Sequence, residues 1–177
     1  MTIKQTPQAL VPASLGSMTL LSTTTLSGAS ITLNSIPQTY NSLVIYIRNF
    51  KPATDDTSLK MRFNADSTAN RHNYVGTGIT QVNTAITFND TSFLVSTGND
   101  NSVASGLIYI TIPDYKNTVT WKMADLVSFT TDPTTTTSFR QARYIGFYNQ
   151  TTAISSLYFF ASSGNLTSGE ILLYGVN

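Results

Sequence analysis

A chain of 177 residues is long enough for one domain with a self-sufficient core, because folding at this size buries roughly 70% of the surface that the unfolded chain exposes. Only 11% of the residues are charged, against about 25% in ordinary globular chains, and the formal net charge is +1. This balance excludes a basic stripe that could neutralise a phosphate backbone, the lack of cysteine excludes disulfides, and the lack of any run of about 18 apolar residues leaves no candidate membrane span.

Residues 1–17 read as an extended N-terminal arm. Pro7 and Pro12 interrupt it, and it lacks the long apolar stretch of a signal peptide, so no cleavable export signal is expected. Such a segment is either a frayed end or an arm that lies on a neighbouring subunit, with Ile3, Leu10, Val11 and Leu15 as its apolar docking residues. Residues 18–177 read as the folded domain. Short apolar or alternating runs recur there, at 18–26, 43–50, 58–63, 85–88, 106–112, 119–130, 139–148, 154–161 and 170–174. Turn clusters separate them at 35–38, 52–57, 96–102, 113–117, 131–137 and 162–168. The abundant Thr favours strands, and the Asn and Ser favour turns.

Side-chain alternation assigns faces. Leu43, Ile45 and Ile47 share one face of their strand, while Val44, Tyr46 and Arg48 make the other face amphipathic. Ile108, Ile110 and Ile112 likewise share a face. Leu157, Tyr158, Phe159 and Phe160 are apolar or aromatic on both sides, which predicts cover on both sides. Nine or more short strands, without long helices to cross between parallel ones, predict an all-β fold: an antiparallel two-sheet sandwich of jelly-roll type.

Reactive chemistry is sparse. His72 is the only histidine, which is too few for a multi-histidine zinc site, and no partner acid stands in a triad motif. Residues 64–70 carry oxygen-bearing side chains at Asn64, Asp66, Thr68 and Asn70. They lack the acids, the central glycine and the final Glu of a calcium loop, and read as an Asx-rich turn. Gly76 and Gly78 begin a glycine loop that Gln81 breaks, with no helix expected behind it to hold a phosphate. No catalytic, cofactor or metal residues are therefore assigned, and no enzyme activity is expected. The aromatics offer more. Tyr40, Tyr74, Tyr115 and Tyr148 stand beside turns, where a ring can form a protein interface or stack on a sugar, or simply close a strand end.

Three blocks carry a family resemblance. The first runs from Tyr40, Asn41, Ser42 and Leu43 through Ile45 and Arg48 to Met61, Arg62, Phe63, Asn64, Ala65 and Asp66, then Asn73 and Tyr74. The second runs from Ser105, Gly106, Leu107 and Ile108 through Ile112, Pro113, Asp114 and Tyr115 to Trp121 and Lys122. The third joins Thr152 to Leu157, then Ser163, Gly164, Asn165 and Leu166, then Ser168, Gly169, Leu173, Tyr174 and Gly175. In this order they resemble the virion structural proteins of tailed bacteriophages, cyanophage-like ones especially. The resemblance implies a non-enzymatic component on the exterior of a phage particle, made in the host cytoplasm. The leading expectation is a capsid decoration, or cement, protein. Its partners would be the major capsid protein and copies of itself, as in a homotrimer, with no nucleic acid and no membrane. The alternative is a tail-fibre or receptor-binding domain that meets tail proteins and a host receptor.

Overall fold

The structure, a computed structural model, describes residues 17–78, 83–132 and 135–177, with side chains throughout these except at 77–89 and 132–139. The expected docking residues Ile3, Leu10, Val11 and Leu15, and all of the expected arm but Ser17, lie outside the described residues. Among the described residues twelve strands form: β1 (Met18–Thr25), β2 (Ser30–Leu33), β3 (Ser42–Pro52), β4 (Thr57–Phe63), β5 (His72–Gly78), β6 (Asn83–Asp90), β7 (Phe93–Asn99), β8 (Gly106–Pro113), β9 (Lys122–Asp132), β10 (Thr135–Tyr148), β11 (Leu157–Ala161) and β12 (Leu166–Val176).

All strand pairs are antiparallel. β1 pairs with β12, β2 with β11, β3 with β8 and β4 with β7. These four pairs nest inside one another, as in a ribbon doubled back on itself. Odd and even pairs alternate between two sheets, giving β1-β12-β3-β8 in one and β2-β11-β4-β7 in the other. Two extra hairpins, β5–β6 and β9–β10, interrupt the nested scheme. They add to the first sheet in the order β8-β9-β10-β5-β6 and widen it to eight strands. The all-β, antiparallel two-sheet sandwich is as the alternation predicts.

The core lies between the sheets. The expected inward sets hold, since Leu43, Ile45 and Ile47 of β3 and Ile108, Ile110 and Ile112 of β8 are all buried. Leu59, Met61 and Phe63 of β4, Phe93 and Val95 of β7, and Leu157 and Phe159 of β11 meet them from the small sheet. The outer side of β11 is half-covered, with the Arg62 guanidinium 4.5 Å from the Phe160 ring centre and 5.8 Å from that of Tyr158. Arg62 is held there by its Nε, which donates to the Thr91 carbonyl at 2.9 Å.

Three strands were not expected: β2, β5 and β7. β2 is only four residues long. In β7 the turn-like residues 96–99 are strand, because their polar groups are satisfied inside. The Ser96 hydroxyl donates to Asn99 Oδ1 at 3.0 Å, and Asn99 Nδ2 donates to the Thr57 carbonyl at 2.6 Å. In β5, Gly76 belongs to no phosphate loop. It lies where the Tyr144 ring crosses, and a Cβ there would come within 2.2 Å of that ring. At the run expected over 119–130, residues 119–121 stay in the loop and β9 starts at Lys122.

Candidate functional site

The tyrosines expected to offer interface rings turn inward. Tyr74, Tyr115 and Tyr148 are buried, so they present no face to a partner. The Tyr115 hydroxyl donates to the Pro37 carbonyl, and the Tyr74 ring meets Tyr144 edge-on at 5.7 Å. Tyr40 is half-buried, its ring laid over Gly175. The physical reason is common to all four. Each ring covers an end or edge of the core where a strand meets a turn, and the Tyr115 and Tyr148 hydroxyls find a backbone carbonyl and the Asp66 carboxylate there.

Around Tyr148 sits a connected polar cluster. Asp66 Oδ2 accepts from Arg71 Nη1 and from the Tyr148 hydroxyl, each at 2.7 Å, and Oδ1 accepts from the Thr68 amide at 2.9 Å. Burial alone would raise the Asp66 pKa, but these hydrogen bonds outweigh it and hold the carboxyl far below the usual carboxylate range. Burial and the bond to Asp66 push the Tyr148 hydroxyl well above its ordinary value. Asn64, Ala65 and Asn70 have left-handed backbones, with φ of 53°, 53° and 68°. The Asn64 side chain bonds the backbone of Ala153, Ser155 and Ser156. The turn at 64–71 is thus a clasp between β4, β10 and the 153–156 segment, with the Asn64, Asp66 and Arg71 side chains engaged.

His72 lies beneath this clasp with no exposed surface. Its ring stacks on Tyr148 at 4.8 Å and meets Phe93 edge-on at 4.8 Å. Nε2 accepts from the Phe63 amide at 3.2 Å, which places the proton on Nδ1, a buried atom with no protein partner. Burial pulls its pKa down to about 4. Lys122 is also buried, its Nζ donating to the carbonyls of Thr120 at 2.7 Å and Thr151 at 3.0 Å. Neither group faces solvent or a cleft where a substrate could sit. Among the described residues no three His, Cys, Asp or Glu side chains come together as a metal site.

The surface is the more informative half of the molecule. Exposed large apolar side chains concentrate on the outer face of the eight-stranded sheet. Because inward residues of β8 and β9 are even-numbered, Leu107 (50% exposed), Met123 and Phe129 (40%) point out. Ile145 and Phe147 of β10 stand beside them in register with Asp125 and Met123. Trp121 (62%) and Val119 (80%) crown the loop that enters β9. Toward the other edge, Tyr46, Tyr109 and Tyr174 form an aromatic row, with ring centres 5.2 Å apart for Tyr46–Tyr109 and 5.9 Å for Tyr46–Tyr174, and Leu20 follows on β1. Two ion pairs lie on this face, Arg48–Glu170 at 2.8 Å and the bidentate Arg143–Asp125, at 2.7 and 3.0 Å. A hollow of about 340 Å³ opens among Tyr109, Thr111, Pro113, Met123, Asp125 and Ile145.

The sequence held a signal for this face: Tyr46, Leu107, Val127, Phe129, Ile145 and Phe147 are apolar residues at the outward positions of strands whose inward positions are also apolar. The signal is weak without the pairing, because each strand contributes only one to three such residues and the sheet sums them.

No family model matches the chain, and no curated protein matches it. Among solved structures, the Clostridium perfringens CspB protease is similar at 10% identity with a TM-score of 0.25. That alignment takes in 94% of this chain and 26% of the protease, so the chain spans about a quarter of that protein's length. A likeness at that score carries no argument about function.

Proposed function

We propose that this chain is a non-enzymatic structural component of a tailed-phage particle, a decoration protein seated on the outside of the major capsid lattice. The observation that carries the reading is the broad apolar face left uncovered on the eight-stranded sheet. Contiguous exposed apolar surface on this scale is rare on a protein that works alone and common on one that assembles. The nested strand order supports the same reading. With the two inserted hairpins set aside, the order β1-β12-β3-β8 over β2-β11-β4-β7 supports a jelly-roll reading, an architecture that recurs in capsid and lectin domains. That support is one of fold analogy, and the three sequence blocks supply the phage context. The clasp at 64–71 fits a structural role too: its carboxylate already accepts three hydrogen bonds, and the histidine beneath it is sealed.

Immunogold labelling of virions tests the assignment. Label spread over the head, together with saturable binding of the purified chain to emptied capsids, is the expected result. Label confined to the distal tail would assign the chain instead to a fibre head that contacts a host receptor, and label nowhere on the particle would overturn both readings.

A further inference from the structure

We infer that the outer face of the eight-stranded sheet is a self-association surface, on which a second copy of this chain packs face to face about a two-fold axis. The inference deepens the reading of the chain as an assembling component by naming the partner of this one face.

The size of the face suits a dimer. Six strands, from β1 to β10 in sheet order, at about 4.8 Å each make it roughly 30 Å wide, and the outward residues along β8, β9 and β10 make it roughly 15–20 Å long. Side-chain relief brings such a patch close to the ~800 Å² per partner of a standard interface. Its charge suits a like partner as well. The Arg48–Glu170 and Arg143–Asp125 pairs neutralise their own cations within the chain, so the face presents no excess sign that would demand an opposite one. The net charge of +1 adds almost no repulsion between copies. Twist suits it too, since a sheet packs most readily on another of the same hand and degree, as two copies are.

Relief makes the match specific. The hollow opens at the Met123 end of β9, and the Leu107–Phe129 cross-strand pair stands up at the other end. Asp125 and Phe129 are four residues apart along β9, about 13 Å. An in-plane two-fold axis crossing the strands near Val127 reverses their direction. It lays each copy's Leu107 and Phe129 over the other's hollow, so one contact occurs twice. That is the signature of an isologous interface. The Tyr46–Tyr109–Tyr174 row contributes rigid amphipathic rings of the kind enriched at such contacts.

The lack of cysteine makes the test clean. Sedimentation of the purified chain at 10–100 µM should give a dimer. Val127→Cys, at the axis, should crosslink to its own copy with a short bis-maleimide. Thr32→Cys, exposed on the small sheet, should crosslink at least tenfold less. Leu107→Lys and Phe129→Lys together should raise the dimer dissociation constant at least a hundredfold with the thermal midpoint of the diluted monomer unchanged. A monomer at 100 µM, a trimer, or equal crosslinking at positions 127 and 32 would overturn the inference. If the double variant fails to fold, the crosslinking pair decides alone. Capsid binding measured in parallel separates the two proposals. A dimer that ignores capsids sinks the decoration reading and leaves this interface standing; a monomer that coats capsids does the reverse.

Discussion

At the scale of single residues, the buried His72 makes the fold sensitive to acid. It titrates near 4 in the folded chain and near 6.5 when unfolded, so between those values the unfolded chain holds the extra proton. The contribution is fully present above pH 6.5 and is lost as pH falls toward 4, amounting to about 3 kcal/mol. Asp66, whose pKa is depressed on folding, keeps its contribution above the ordinary carboxylate range and loses it as pH falls through that range toward the folded value. Urea unfolding from pH 7 to 4 should show the first slope in the natural chain and not in His72→Gln, which retains an acceptor for the Phe63 amide. Parallel curves for the two would mean that His72 is not the titrating group. In the sequence His72 stands out as the lone histidine, with no motif that would make it reactive. Its seclusion was not legible, because it depends on Phe93 and Tyr148, distant in sequence, closing over it.

At the scale of elements, small departures from regular strands decide which residues reach the core. In β3 the register shifts between Arg48 and Phe50, with Asn49 at φ 56°. Simple alternation from Leu43, Ile45 and Ile47 would send Phe50 outward; the extra residue turns Phe50 and Pro52 inward, where both are buried. β10 shows a different device. Gly146 faces the core, and a Cβ there would stand 2.7 Å from the Phe93 ring of the opposite sheet. Gly146→Val should therefore cost about 1–3 kcal/mol by overpacking. Denaturant midpoints check it, and Phe93→Leu in the Gly146→Val background should recover part of the loss. A neutral Gly146→Val would show that the sheets move apart freely at this point.

At the scale of the whole molecule, the nesting makes the fold depend on its last strand. β12 lies between β1 and β3, pairing with β3 from Leu166 to Val176 and with β1 from Glu170 to Val176. A chain ending at residue 165 would strip β1 of its strand partner, remove the buried Leu166, Ile171 and Leu173, and open the large sheet beside β3. Circular dichroism and thermal melts of that truncation should show no cooperative transition; a sharp melt would mean that the remaining strands close without it. Such long-range pairing also implies folding in milliseconds to seconds rather than microseconds.

Alternation of apolar and polar residues, turn chemistry and the shortage of charge were local properties, and they were enough to declare an antiparallel sandwich and the inward sets 43, 45, 47 and 108, 110, 112. Strand pairing is not local. Whether β12 sits beside β3, whether Gly76 faces a phosphate or the Tyr144 ring, and whether Tyr148 points at solvent or at Asp66 each depend on residues tens of positions away. The outer face of the large sheet is the clearest case. Its apolar residues are scattered through six strands, one to three on each, in numbers that look like ordinary strand composition, and only hydrogen-bonded register gathers them into one surface.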